Sequence, residues 1–114
     1  MVEERLILEL SDRIVNEFQP DRVVLFGSYA HGRPTGDSDV DLLVVLPFDG
    51  RSLAKSLEIL NRVDPQFPID LLARRPDDVQ RRYREGDPLI REAIDRGRVL
   101  YERNRPRVDR QGQS

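Results

Sequence analysis

The sequence predicts one α/β domain built on a mixed β-sheet with helices mainly on one side, not a doubly wound parallel sheet. Three observations predict it. Short runs of β-branched and aliphatic residues alternate with segments of helical periodicity. The connections between them are too short to hold a second domain. A chain of 114 residues is the length of a single domain and buries enough surface for a real core.

The first element is a helix over residues 2–18. Leu6, Leu10, Ile14 and Phe18 recur every fourth residue, Ile7 and Val15 widen the stripe, and Pro20 ends it. Arg22 to Phe26 is a short buried strand. Gly27-Ser28 interrupts it, and Tyr29-Ala30-His31 begins a helical turn. A loop from Arg33 to Asp37 leads into the clearest strand of the chain, Asp39 to Leu46 (DVDLLVVL), which Pro47 and Gly50 close. Ser52 is placed to cap a helix reaching Arg62, with Leu53, Leu57 and Leu60 on one face. Pro68 to Ala73 reads as a third strand. Pro76-Asp77-Asp78 starts a helix with proline in its first turn and acids near its positive end. Asp87-Pro88 starts another, Leu89 to Arg96, with Gly97 suited to its C′ position. Arg98 to Glu102 forms a last strand. The domain is thus expected over residues 1–102, followed by a disordered basic tail over 103–114 that has few apolar residues.

Composition excludes several chemistries. With no cysteine, disulfides, thiolate metal sites and cysteine nucleophiles are ruled out. His31 is the single histidine, so zinc sites built on paired histidines are ruled out too. The one lysine, Lys55, lies in Ala54-Lys55-Ser56, where the Gly-Lys-Ser/Thr of a P-loop fails. A bound metal must rest on oxygen ligands, which favours magnesium, manganese or calcium. No apolar run approaches the ~18 residues of a membrane span. The acidic start Met1-Val2-Glu3-Glu4 is unlike a secretory signal, so the expected location is cytoplasmic. Net charge is -2, but residues 1–73 hold 7 basic and 13 acidic residues, whereas residues 74–114 hold 12 and 8. The basic excess, including Arg81, Arg82 and Arg84, is either a solvated helical face or a surface for an acidic protein or RNA partner. Direct nucleic-acid binding is not expected, because Tyr83 is the only aromatic among those basic residues.

Three acids carry the chemistry. Asp39 and Asp41 are two apart on one strand, so both carboxylates leave the same face. Val40, Leu42, Val44 and Leu46 point the other way, into the core. Two ionised carboxylates side by side repel unless a cation lies between them, and oxygen-only ligands suit magnesium. Asp70 is a third charge inside the apolar run Ile69-Asp70-Leu71-Leu72. If its strand lies beside the Asp39–Asp41 strand, all three converge on one face. Two divalent ions on three acids are the apparatus of in-line displacement at phosphorus. Singly, each acid has an ordinary explanation as a strand-start, edge or surface residue.

Gly27-Ser28 adds a phosphate cradle. Glycine lets backbone approach a ligand closely, free N–H groups at a helix start bind phosphate, and the Ser28 hydroxyl adds a donor. As a bare dipeptide it is equally an N-cap. The flanks Phe26-Gly27-Ser28-Tyr29-Ala30 do not form the Gly-x-Ser-x-Gly elbow of a serine hydrolase.

The run from Gly27-Ser28-Tyr29-Ala30-His31-Gly32 through Ser38-Asp39-Val40-Asp41-Leu42-Leu43-Val44 resembles the signature of the DNA polymerase β nucleotidyltransferase superfamily. Its short length is similar to the minimal nucleotidyltransferases, or MNT proteins. Asp70 stands where that family has its third catalytic acid. The resemblance covers roughly residues 5–102 and departs at His31, where many relatives have arginine. It implies a polymerase β palm-like nucleotidyltransferase fold, with catalytic and metal-binding Asp39, Asp41 and Asp70, and nucleotide-binding Gly27 and Ser28. It further implies ATP as substrate and two magnesium ions, manganese being the other admissible ion. Arg33, Arg74 or Arg75 would steady phosphates. Such proteins are often paired with a HEPN-family ribonuclease toxin, and the MNT member acts as antitoxin by transferring AMP to a toxin tyrosine. That pairing implies an assembly with the toxin, or with further copies of the chain. Two alternatives stay open: an antitoxin of the same fold that acts by contact alone, and a small-molecule nucleotidyltransferase, although those usually carry an extra helical domain.

Overall fold

The computed structural model describes residues 1–103. Its elements, in order, are α1 (Glu4–Phe18), β1 (Arg22–Phe26), β2 (Val40–Val45), α2 (Ser52–Val63), β3 (Ile69–Arg74), α3 (Pro76–Arg84), α4 (Pro88–Arg96) and β4 (Arg98–Glu102). The strands form one sheet in the order β3-β2-β1-β4. β1 is antiparallel to β2 and β4, while β2 and β3 run parallel. The expected mixed α/β sheet is therefore present.

Layering departs from expectation. Helices cover both faces of the sheet rather than mainly one. On one face Ile7, Leu10 and Ile14 of α1, with Ile59 and Val63 of α2, pack against Val23, Leu25, Val40, Leu42, Val44, Leu71 and Ala73. On the other, Val79 of α3 with Ile90 and Ala93 of α4 pack against Val24, Phe26, Leu43 and Val45. The physical reason lies in β1 and β2. β1 is apolar from Val23 to Phe26 and β2 from Leu42 to Val45, and a strand apolar on both faces must be covered on both. Each fully buried aliphatic side chain contributes roughly 1.5–3 kcal/mol, so neither layer is dispensable.

Local caps explain the boundaries. α1 stops at Phe18 because Gln19 turns left-handed, with φ 51°. α2 begins at Ser52 itself, with Arg51 in the cap position and no side-chain cap. Ser56 instead ties α2 to the sheet: its hydroxyl donates to Ser52 O and accepts from Ala73 N, at 2.9 and 3.0 Å. The Asp87 carboxylate caps α4 by accepting from Leu89 N and Ile90 N. Gly97 has an extended backbone, not the left-handed one expected after a helix. Glycine is required there for space, since a Cβ would collide with Ala93 O, Leu25 O and the Val24 side chain. Arg103 closes the described chain, donating from its backbone N–H to Asp21 O at 2.8 Å. The basic tail expected beyond it lies outside the described residues, among which no helix is long and apolar enough to cross a membrane.

Candidate active site

The carboxylates gather at one end of the sheet because of strand register. Asp41 of β2 pairs with Asp70 of β3 on one side and with Phe26 of β1 on the other. Asp39 immediately precedes β2 and is exposed, as is Asp70, while Asp41 is half-buried. Alternation puts Asp41 on the same face as Leu43 and Val45. The apolar shell that buries α3 and α4 therefore ends at this carboxylate. The loop before it is braced by its own polar groups: Thr35 N donates to Ser38 Oγ at 2.9 Å, and Ser38 N to Thr35 O at 3.1 Å.

The electrostatics follow. The Asp41 carboxyl is pushed above the ordinary carboxylate range, first by burial, then by the charges of Asp70 and Asp39. All three acids thus share one field. Among the described residues no three acidic or imidazole side chains stand close enough together to form a finished metal cage. The donors nonetheless fit a hard divalent cation in chemistry. They are all oxygen, and Asp41 holds a charge that its neighbours repel and that a cation would relieve.

Gly27 lies against this edge. Its φ of 74° is left-handed, and a Cβ there would collide with the Asp41 carboxylate. The position is therefore closed to other residues on two independent grounds. After it, Ala30 N, His31 N and Gly32 N donate in turn to the carbonyls of Gly27, Ser28 and Tyr29. This is a single tight turn, not the start of an α-helix, so the phosphate-binding geometry expected at Gly27-Ser28 comes without a helix dipole. Tyr29 anchors the turn by burying its ring in the core and accepting Val2 N at 3.0 Å. His31 reaches across to Glu92 of α4, with Nε2 and Oε2 3.2 Å apart.

An open cleft of about 470 Å³ beside the turn is lined by Ser28, His31, Arg33 and Arg96. Of the arginines offered to phosphate by the sequence, only Arg33 reaches it. Arg74 ends β3, four residues beyond Asp70, or roughly 13 Å along the strand. Arg75 is turned to Gly50 O and stacked over Phe48. Arg96 was not legible as a site residue, because nothing in α4's pattern separates it from a solvated charge. Arg81 and Arg82 are engaged within the domain: both bind Asp78, and Arg82 also binds Asp87 at 3.2 Å.

Comparison with known proteins agrees with this fold. The family model described as "Polymerase beta, Nucleotidyltransferase" matches residues 9–106. A provisionally assigned nucleotidyltransferase from Sulfolobus solfataricus superposes with a TM-score of 0.62 at 18% identity, covering 87% of this chain and 79% of its own. A toxin–antitoxin structure with AMP-PNP superposes with a TM-score of 0.53 at 18% identity, covering 90% of this chain and 76% of its own. A mutant of the toxin–antitoxin pair MntA–HpeT, with two aspartates two positions apart changed to glutamate, gives the same values. No curated protein sequence is a significant match.

Proposed function

The chain belongs to the polymerase beta nucleotidyltransferase family, and from that premise we propose that it transfers AMP from ATP to a tyrosine hydroxyl of a HEPN-type toxin and thereby acts as that toxin's antitoxin. The observation that carries the proposal is the register pair Asp41–Asp70, with Asp39 in the same field and the Gly27-Ser28 turn packed against Asp41. The likeness to two toxin–antitoxin structures, one with AMP-PNP, supports the partner and nucleotide classes.

In this reading Asp39, Asp41 and Asp70 hold magnesium, or manganese in its place. When bound, the metal neutralises triphosphate charge and polarises the phosphorus under attack. The protein's own groups do the rest. The Ser28 hydroxyl and the N–H groups of Ser28 and Tyr29, which no carbonyl of the turn takes up, orient the phosphates. Asp70 is exposed at the sheet edge, where a hydroxyl carried on a folded partner can reach it and give up its proton. The hydroxyl oxygen bonds to the α-phosphorus. The bond from that phosphorus to the bridging oxygen breaks, and pyrophosphate leaves with the electron pair.

The test is mass spectrometry of a co-expressed HEPN-type partner with wild type, Asp41→Asn and Asp70→Asn. Wild type should add one or more AMP units to a tyrosine, and the variants almost none. An unmodified yet inhibited partner would replace this reading with an antitoxin acting by contact. Modification that survives Asp70→Asn would remove that residue from the proton-accepting role.

A further inference from the structure

We propose that Arg33 and Arg96 form a paired grip on the terminal phosphates of the nucleotide, with Arg96 supplied by α4 rather than by the glycine–serine turn. The proposal rests on the nucleotidyltransferase reading above and assigns the residues that hold the leaving group.

The argument begins with charge. The cleft beside Ser28 is lined by one hydroxyl, one imidazole and two guanidinium groups, and by no carboxylate. A concave wall of that composition selects a polyanion. His31 is the one cationic-capable group in the turn itself, and its ring is committed to Glu92. Arg33 and Arg96 make no ion pair among the described residues. Arg62, Arg81, Arg82 and Arg98 are each held by an acid, and among the described arginines without an ion pair it is Arg33 and Arg96 that line this cleft. Two unpaired guanidinium forks facing one cleft can each bind a phosphate bidentately.

Position supports the same conclusion. Arg33 follows Gly32, and its backbone N–H donates to Ser28 O at 3.0 Å. The Ser28 turn thus fixes where the Arg33 side chain departs. Arg96 is the last residue of α4, and the next residue, Gly97, is pressed against β1. Close approach of Gly97 to Leu25 therefore sets where Arg96 stands relative to Gly27 and Ser28. The His31–Glu92 contact adds a second tie between the turn and α4. The cleft shares Ser28 with the turn that packs against Asp41 and has no carboxylate in its lining, so a nucleotide with its α-phosphate at the carboxylates would place its β- and γ-phosphates there. When the α-phosphorus bond breaks, the negative charge of the leaving pyrophosphate develops between these two arginines.

Equilibrium binding tests this without relying on turnover. Wild type, Arg33→Gln, Arg96→Gln and Arg96→Lys are titrated with AMP-PNP, inorganic pyrophosphate and AMP, and their melting is recorded. Each glutamine variant should lose about tenfold to a hundredfold in affinity for AMP-PNP and pyrophosphate. AMP affinity and melting should stay unchanged. Arg96→Lys should recover part of the loss, since the charge remains and the fork does not. Wild-type affinity for pyrophosphate in both glutamine variants overturns the grip, and leaves the nucleotidyltransferase reading intact if Asp41→Asn still abolishes transfer. Pyrophosphate binding that depends on both arginines, in a protein that never modifies a partner, keeps the grip and overturns the transfer reading. Equal loss of AMP and pyrophosphate binding would mean that the arginines hold the α-phosphate, which also overturns the proposal.

Discussion

Two clusters of aspartate sit at different places in this fold and have opposite electrostatic fates. At the sheet end, Asp41 faces Asp70 and Asp39, and its carboxyl is raised by burial and by their charges. Between α3 and α4, Asp78 is only 6% exposed. Burial alone would raise it, but the hydrogen bonds and charges of Arg82 and Arg81 outweigh burial and hold it below the usual carboxylate range. Asp87 is lowered first by the backbone N–H of Ile90, with Arg82 adding to the effect against burial. Burial is common to Asp41 and Asp78, so it does not separate the two clusters; the sign of the neighbours does. One site satisfies its charge within the chain and contributes stability. The other leaves its carboxylates facing one another, with like charge unrelieved within the chain.

The largest effect that could break this contrast comes from Asp41→Asn. Turnover should fall about a thousandfold or more, equivalent to roughly 4 kcal/mol of transition-state stabilisation. Melting in metal-free buffer should rise, because the substitution removes a repelled charge. The sign follows from linkage. A carboxyl raised in the folded state contributes stability below its unfolded value, and that contribution is lost as pH rises through the folded value. The gain in melting should therefore be greater at pH 7 than at pH 4. Asp78→Asn should show the reverse. A lowered carboxyl contributes stability above its unfolded value and loses it as pH falls, so the damage should shrink on acidification. A drop in melting for Asp41→Asn at pH 7 would remove the basis of the contrast.

How far these clusters were legible in sequence follows from the range of the interactions involved. The strand carrying Asp41 was readable because alternation is local: Val40, Leu42 and Val44 take one face whatever happens elsewhere. The pairing of Asp41 with Asp70 depended on which strand lies next to β2. The charge inside Ile69-Asp70-Leu71-Leu72 pointed to Asp70 only on the condition that its strand lies beside β2, and the parallel register places the two side by side. Coverage of both sheet faces was legible in principle from the apolar runs Val23–Phe26 and Leu42–Val45. The expectation of helices mainly on one side missed that α3 and α4 present Val79, Ile90 and Ala93 to the second face. Arg81 and Arg82 looked like a free basic surface because nothing in local pattern marks Asp78 as buried. Arg96 became visible only once α4 was packed, since its role depends on Gly97 meeting β1.

Gly27→Ala tests the open cluster at its tightest point. Left-handed backbone at a residue with a Cβ, together with a collision against the Asp41 carboxylate, should cost about 3 kcal/mol. Thermal melting measures it. In an Asp41→Ala background the collision is gone and only backbone strain remains, so the penalty should shrink. An undiminished penalty would mean that strain alone excludes other residues there.

Asp78→Asn tests the satisfied cluster. Loss of charge-assisted bonds to Arg81 and Arg82 should cost about 2 kcal/mol, or a fall in melting of roughly 10 °C for a domain of this size. Nucleotide affinity should be unaffected. Arg81 would keep Glu85 and Arg82 would keep Asp87, so association with an acidic partner should change little.

The smallest effect asks whether the two clusters are independent. Asp87 caps α4 by accepting from Leu89 N and Ile90 N at 3.0 and 3.2 Å, and it also holds Arg82. Asp87→Ala should cost about 1 kcal/mol, the usual loss of an N-cap. The other end of the same helix carries Glu92, which meets His31, and Arg96, which lines the cleft. α4 thus touches both regions. Its second half is pinned independently, by Ala93 in the core and by Gly97 against β1. Fraying at the first turn should therefore stop before Glu92. Melting should fall by about 1 kcal/mol while affinity for AMP-PNP stays at the wild-type value. A parallel fall in affinity would show that α4 transmits the state of the aspartate–arginine cluster to the phosphate cleft, and the two regions would have to be treated as one coupled unit.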